Sequence, residues 1–233
     1  MRLVLFMLFV LFPPGALPAP KPFTTFPGAH NSAVSKSPAE GGGHCPLRCE
    51  CKWKRGKETV SCGEDAAFTS VPRVRDAGTQ VLHLEGAAIA ALTDDVFTAA
   101  NLLNLQEVAL RNCGLRTVSA FAFRDLINLV SLDLSDNLLE GIPSDALSGL
   151  PQLRELVLSG NPLGRVAGNA FSGLGQLVRL ELNDCRLGWV DPRALIGLGA
   201  LEWLKLGKNE LTSLDESALR PLRKLHGERK AKN

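Results

Sequence analysis

Four of the six cysteines are the residues best spaced to do chemistry. Cys45, Cys49, Cys51 and Cys62 follow C-x3-C-x-C-x10-C within 18 residues. Two chemistries use that density. In an oxidising compartment the four thiols pair as two disulfides, with three possible connectivities; in a reducing one they could hold zinc, a site that His44 could join. The remaining two, Cys113 and Cys185, stand alone. Histidines are too few and too scattered to build a catalytic centre: His30, His44, His83 and His226 fall far apart in the sequence. No G-x-S-x-G, H-E-x-x-H or phosphate-binding glycine loop is present, so nothing assembles a nucleophile, a base and an oxyanion site. The expectation is a protein that is not an enzyme and needs no metal or cofactor.

The N-terminus decides between the two cysteine chemistries. Arg2 precedes an unbroken apolar run from Leu3 to Phe12, which Pro13, Pro14 and Gly15 end; small residues follow at Ala16 and Ala19. Ten apolar residues are half of what a membrane-spanning helix requires, so residues 1–19 read as a secretory signal cleaved after Ala19, with Ala16 as the second choice. Secretion favours disulfides over zinc. Residues 20–44, rich in Pro, Ser, Gly and Ala, read as a disordered leader. Residues 45–78 then form a disulfide-bonded N-terminal cap. No later stretch is apolar enough to span a bilayer, and the expected location is extracellular: secreted, or the ectodomain portion of a membrane receptor.

The elements that must position any functional side chain come from an internal repeat. Segments beginning at Leu105, Leu129, Leu153, Leu177 and Leu201 lie 24 residues apart and read LQEVALRNCGL, LVSLDLSDNLL, LRELVLSGNPL, LVRLELNDCRL and LEWLKLGKNEL. Each obeys L-x-x-L-x-L-x-x-N/C-x-L, with Val108 at the second leucine. A degenerate earlier unit from Thr79, with Ala87 at the Asn/Cys position, makes six repeats over 79–225; a basic tail occupies 226–233. The L-x-L core predicts a short strand that turns both leucines to one face. The Asn or Cys predicts a sharp bend whose side chain bonds buried backbone groups. One unit cannot bury its own leucines, so successive units must stack. The composition agrees, with 45% hydrophobic residues, only 6% aromatics and no tyrosine.

This pattern resembles the extracellular leucine-rich repeat family with 24-residue units. The resemblance implies an α/β solenoid: a curved horseshoe with short parallel strands on the concave face and an irregular, 3-10 or short helical convex side. Cys113 and Cys185 then sit three strands apart, ~14 Å at the usual ~4.8 Å strand spacing, beyond disulfide reach. Both are expected to be buried, reduced stand-ins for the turn asparagine. The family's N-terminal cap implies the pairs Cys45–Cys51 and Cys49–Cys62. A finer likeness lies in CPLRCECKWKRGKETVSC and the following GTQVLHLEG, where Trp53, Lys54, Gly56, Lys57, Val60 and Cys62 resemble the N-terminal region of the kekkon group of repeat/immunoglobulin receptors. That likeness implies adhesion or modulation of receptor signalling. The cysteine-bearing C-terminal cap, immunoglobulin domain and membrane span of that group have no counterpart here, so the sequence reads as a truncated form.

On a concave strand face the third positions are Val81, Glu107, Ser131, Glu155, Arg179 and Trp203, and the fifth are His83, Ala109, Asp133, Val157, Glu181 and Lys205. Among these, Trp203, Arg179, Glu155, Asp133, Glu107, Glu181 and Lys205 are the candidate protein-binding residues. Trp203 leads, because an outward tryptophan anchors interfaces disproportionately, and Arg179 is expected beside it as a stacking partner. Trp189 reads as a second exposed patch on the outer side, whereas Trp53 reads as packing or cap-specific structure in preference to ligand contact. The tail from Arg220, six Lys or Arg against one Glu, reads as a solvated end in preference to a heparin or membrane site. The expected partner is an extracellular protein, with homo-association through an uncapped last repeat as a further possibility and no nucleic acid, since the net charge is only +2. A structural matrix protein is the rival reading. The absence of any N-x-S/T sequon weighs against it, and collagen binding would separate the two.

Overall fold

The computed structural model describes residues 45–226; the signal, the leader and the residues from 227 onward lie outside that range. An antiparallel hairpin, β1 (Cys49–Lys54) and β2 (Lys57–Cys62), opens the fold. Its two-residue turn has positive φ at both Arg55 (53°) and Gly56 (77°), the type I′ geometry whose twist matches the flanking strands. Disulfides join Cys45 to Cys51 and Cys49 to Cys62.

From β2 onward the chain winds as a solenoid of parallel strands. The large sheet runs β1-β2-β3-β5-β7-β8-β10-β12, with β3 at Val81–Glu85, β5 at Glu107–Arg111, β7 at Ser131–Asp133, β8 at Glu155–Val157, β10 at Arg179–Glu181 and β12 at Trp203–Lys205. The return side of each coil is sparse. Two-residue strands pair as β4 (Ala91–Leu92) with β6 (Thr117–Val118) and β9 (Arg165–Val166) with β11 (Trp189–Val190). Single-turn helices α1 (Val96–Ala99), α2 (Ser144–Leu147) and α3 (Glu216–Leu219) complete it. The convex side is therefore short extended pieces and helical turns. A 3-10 turn, Glu64–Ala66, lies after the hairpin instead.

The register follows the 24-residue period: Leu132 faces Val108 and Leu156, and Leu180 faces Leu156 and Leu204. Because residues alternate along a strand, both leucines of each L-x-L turn inward, and Leu82, Leu132, Leu156 and Leu180 are wholly buried. Each such side chain contributes about 1.5–3 kcal/mol. Phe97, Phe123 and Phe171 fill the broader convex half of the core, with the first two rings 5.6 Å apart. In the last coil Leu204, Leu206, Leu211 and Leu214 are only partly buried, while Leu222 is wholly buried behind α3.

The bends depend on asparagine. Asn137 Oδ1 accepts the N–H groups of Cys113 (2.9 Å) and Leu115 (3.0 Å) from the preceding coil, and its Nδ2 donates to Leu110, Leu134 and Ser135 carbonyls. Asn161 and Asn209 repeat the arrangement. Cys113 and Cys185 are free and buried; their thiols donate to Arg111 and Asn183 carbonyls at 3.3 Å each. The N–H groups of Ile89 and Gly164 bond the backbone carbonyls of Cys113 and Cys185. Burial pushes both thiols up, Cys185 to about 11. Since the thiolate is the nucleophile, both cysteines should resist an aromatic disulfide reagent at pH 8 in the native protein and release two equivalents of signal on unfolding. Rapid native labelling would contradict this.

Candidate functional site

The concave face is built by the alternate residues of the same strands. Register places Val81, Glu107, Ser131, Glu155, Arg179 and Trp203 in one row, and His83, Ala109, Asp133, Val157, Glu181 and Lys205 in the next. The parity that buries the leucines therefore brings the seven candidate residues onto one surface.

Their side chains form a ladder of alternating sign. His83 Nε2 meets Glu107 Oε1 at 2.9 Å, and Arg111 Nε donates to Asp133 Oδ2 at 2.7 Å. Farther along, Arg179 lies 3.4 Å from Glu155 and 3.6 Å from Glu181, whose Oε1 also takes Lys205 Nζ at 2.7 Å. A shallow concavity lies over the middle strands, lined by Glu107, Arg111, Ser131, Asp133, Glu155 and Glu181. These pairs are partly solvated, and each adds little to stability. Their effect is to hold long side chains in fixed positions.

Glu107 is held below the usual carboxylate range. The hydrogen bond from His83 is the largest cause; burial opposes it, and the charges of His83, Lys57 and Arg55 assist. A depressed carboxylate stabilises the fold above its unfolded pKa, and that contribution is lost as pH falls through the folded value. His83→Ala should therefore move the Glu107 titration upward, toward the ordinary carboxylate value, when followed by carboxyl carbon NMR. An unmoved titration would show that the histidine does not set it.

Several expectations need correction. Asp133 is nearly closed off, 8% exposed: one oxygen accepts the Ser135 N–H at 2.9 Å and the other holds Arg111. It orients its neighbours and offers a ligand little surface; Arg111, which the sequence pattern does not single out among the binding residues, is the exposed member of that pair. Trp203 does lie opposite Arg179 in register, but it stacks on the His226 imidazole, with centroids 5.7 Å apart and planes 8° apart, while the two carboxylates hold Arg179. The His226 N–H bonds the Glu202 carbonyl at 3.0 Å, repeating the bond that Glu202 makes to Val178, and this brings its ring over Trp203. Sequence spacing offers a hint, since Leu225 falls 24 residues after Leu201. Trp53 is not packed in the hairpin: it is 72% exposed, because it sits beside the turn, beyond the last inward position. Trp189 is half exposed on the convex side, as its place in the repeat implied.

Among the described residues no group of three or more His, Cys, Asp or Glu is placed to hold a metal ion, and no helix is long and apolar enough to cross a membrane.

The family model described as leucine rich repeat matches residues 103–163 and 175–226. Among solved structures, the TLR13–ssRNA13 complex is similar at 25% identity and a TM-score of 0.61, over 64% of this chain and 21% of that one. The Drosophila Toll–Spatzle complex is similar at 21% identity and a TM-score of 0.57, over 65% of this chain and 20% of that one. The chain thus spans about a fifth of those molecules. No curated protein matches it.

Proposed function

We propose that this chain, built of leucine-rich repeats, is an extracellular protein-recognition module whose concave face docks another protein. The observation that carries the reading is the ladder from Glu155 through Arg179 and Glu181 to Lys205, with Trp203 at its end. Charges of both signs, held by one another on a rigid sheet, suit a protein partner with complementary charges; a tryptophan at the margin supplies a desolvated anchor. Glu155, Arg179, Glu181, Lys205 and Trp203 are the contact residues, joined by Glu107 and Arg111, and Asp133 supports them. Secretion from the signal at 1–19, and membership of the kekkon group with its adhesive or signalling role, belong to the same reading and rest on the residues at 1–19 and 45–62. We assign the face no reaction: His83 is held by Glu107 and His226 is stacked on Trp203.

RNA as ligand is the second reading, favoured by the likeness to the TLR13–ssRNA13 structure. The alternating ladder opposes it, since single-stranded nucleic acid is bound by a positively charged groove with several stacking aromatics. A screen of the purified chain against a panel of extracellular domains and single-stranded RNA separates the two. A protein hit whose affinity falls at least tenfold with Trp203→Ala and with Glu155→Arg, at unchanged melting temperature, supports docking on this face. RNA as the sole hit, or a protein hit indifferent to both substitutions, would overturn it.

A further inference from the structure

We propose that the tip of the N-terminal hairpin is a second binding site, which takes a linear sulfated polysaccharide of the glycosaminoglycan class. The site adjoins the concave face, near enough for Lys57 and Arg55 to act on the Glu107 carboxylate, but it uses other residues than the candidate protein-binding ones and does not depend on what those bind. Lys52, Lys54, Arg55 and Lys57 fall within six residues around the turn, and Lys54 lies directly opposite Lys57 in the strand register. Cross-strand partners project from the same face, and like charges placed opposite one another are destabilising. The fold gains nothing from that pair, whereas an anion lying across both would convert repulsion into attraction. Glu50 compensates only Lys52 and Lys54. Among the described residues neither Arg55 nor Lys57 has a salt-bridge partner.

The same hairpin carries Trp53, 72% exposed on the alternate face beside the turn. An apolar ring left so open has no packing role. A chain crossing the turn over Arg55 would meet the lysine face on one side and the indole on the other. The hairpin is also rigid: a two-residue type I′ turn closes one end and two disulfides hold the other, so binding orders little new structure. A sulfated glycan fits better than RNA, because one tryptophan on a protruding tip is not the row of stacking platforms that single-stranded nucleic acids use. Disulfides persist outside the cell, where sulfated glycans are the abundant linear polyanions.

The test is binding of the whole chain to a heparin oligosaccharide at 0.15 M salt, on the order of physiological ionic strength, with polyglutamate and a single-stranded RNA as comparison probes. Arg55→Glu, and separately Lys54→Glu with Lys57→Gln, should each weaken heparin binding at least tenfold and lower the salt at which the protein leaves a heparin column. Trp53→Ala should weaken binding with no change in the salt dependence. Arg223→Glu with Lys224→Glu, near the C-terminus, should leave heparin binding unchanged. Lys54→Glu with Lys57→Gln removes the like-charge pair across the hairpin, so a lowered melting temperature is not expected and loss of binding would not reflect misfolding; Lys54→Gln serves as a milder variant of the same position. Absence of heparin binding, or binding that moves only with the Arg223/Lys224 pair, would overturn the proposal. Equal or tighter binding of RNA or polyglutamate with the same dependence on Arg55 would overturn the assignment to a glycan.

Discussion

Asn137→Ala is expected to destabilise the solenoid by about 3–5 kcal/mol, a large share of the net stability of a folded domain. The side chain is 2% exposed and makes five hydrogen bonds to backbone groups of two coils. Alanine removes all five and leaves the Cys113 and Leu115 N–H groups buried without an acceptor. Each buried polar group left unsatisfied costs about 1–3 kcal/mol, far more than a made bond gains. The equivalent Asn209→Ala should cost less, because the last coil is only partly covered and water can replace the amide there. Urea unfolding of the two variants side by side checks this. A loss below ~1 kcal/mol for Asn137→Ala, or equal losses for both, would mean that the bends are held by their leucines alone.

Removing the Cys49–Cys62 disulfide, as Cys49→Ala with Cys62→Ala, is expected to cost about 3 kcal/mol by the loop-closure argument. The bond spans 13 residues, against 6 for Cys45–Cys51, which alone makes it stronger by about 0.7 kcal/mol. Position widens the gap. Cys62 is 4% exposed and lies opposite Leu84 in the sheet, whereas Cys45 and Cys51 are exposed. Loss of the first bridge loosens β2 from β3 and wets the leucines of the first coil; loss of the second frees only the outer strand. Chemical unfolding of the two double variants tests the order, and a larger loss from the Cys45/Cys51 pair would reverse it.

What the sequence disclosed follows the periodicity. The 24-residue repeat states which side chains turn inward, so the leucine core, the strand register and the two rows of the concave face are all legible in it. The buried, unpaired state of Cys113 and Cys185 follows from the same arithmetic. Periodicity says nothing about how side chains within a row choose partners. Asp133 occupies an outward position, yet it folds back on the Ser135 N–H, because a short carboxylate reaches its own strand's next turn and a glutamate does not. Trp203 meets His226 because the backbone enters one more ladder bond after Leu225, a feature outside the repeat's own pattern. Trp53 escapes the pattern for a related reason: in a hairpin that is not a repeat, no spacing rule tells an inward position from an overhanging one. The sheet orders are thus readable, and the local ion pairs and the terminal stack are not.

Whether ligand is held by the concave face and not by the rest of the surface is tested most directly by the affinity of one identified protein partner for two matched double variants. The concave variant is Glu155→Arg with Trp203→Ala. The convex variant is Arg165→Glu with Trp189→Ala, residues that are exposed where Glu155 and Trp203 are half-buried, and that lie on return strands β9 and β11. Each pair removes one tryptophan and reverses one charge. The concave variant is predicted to lose at least tenfold in affinity while the convex variant stays within a factor of about two of the parent. Loss confined to the convex variant, or equal loss from both, would contradict docking on the concave face.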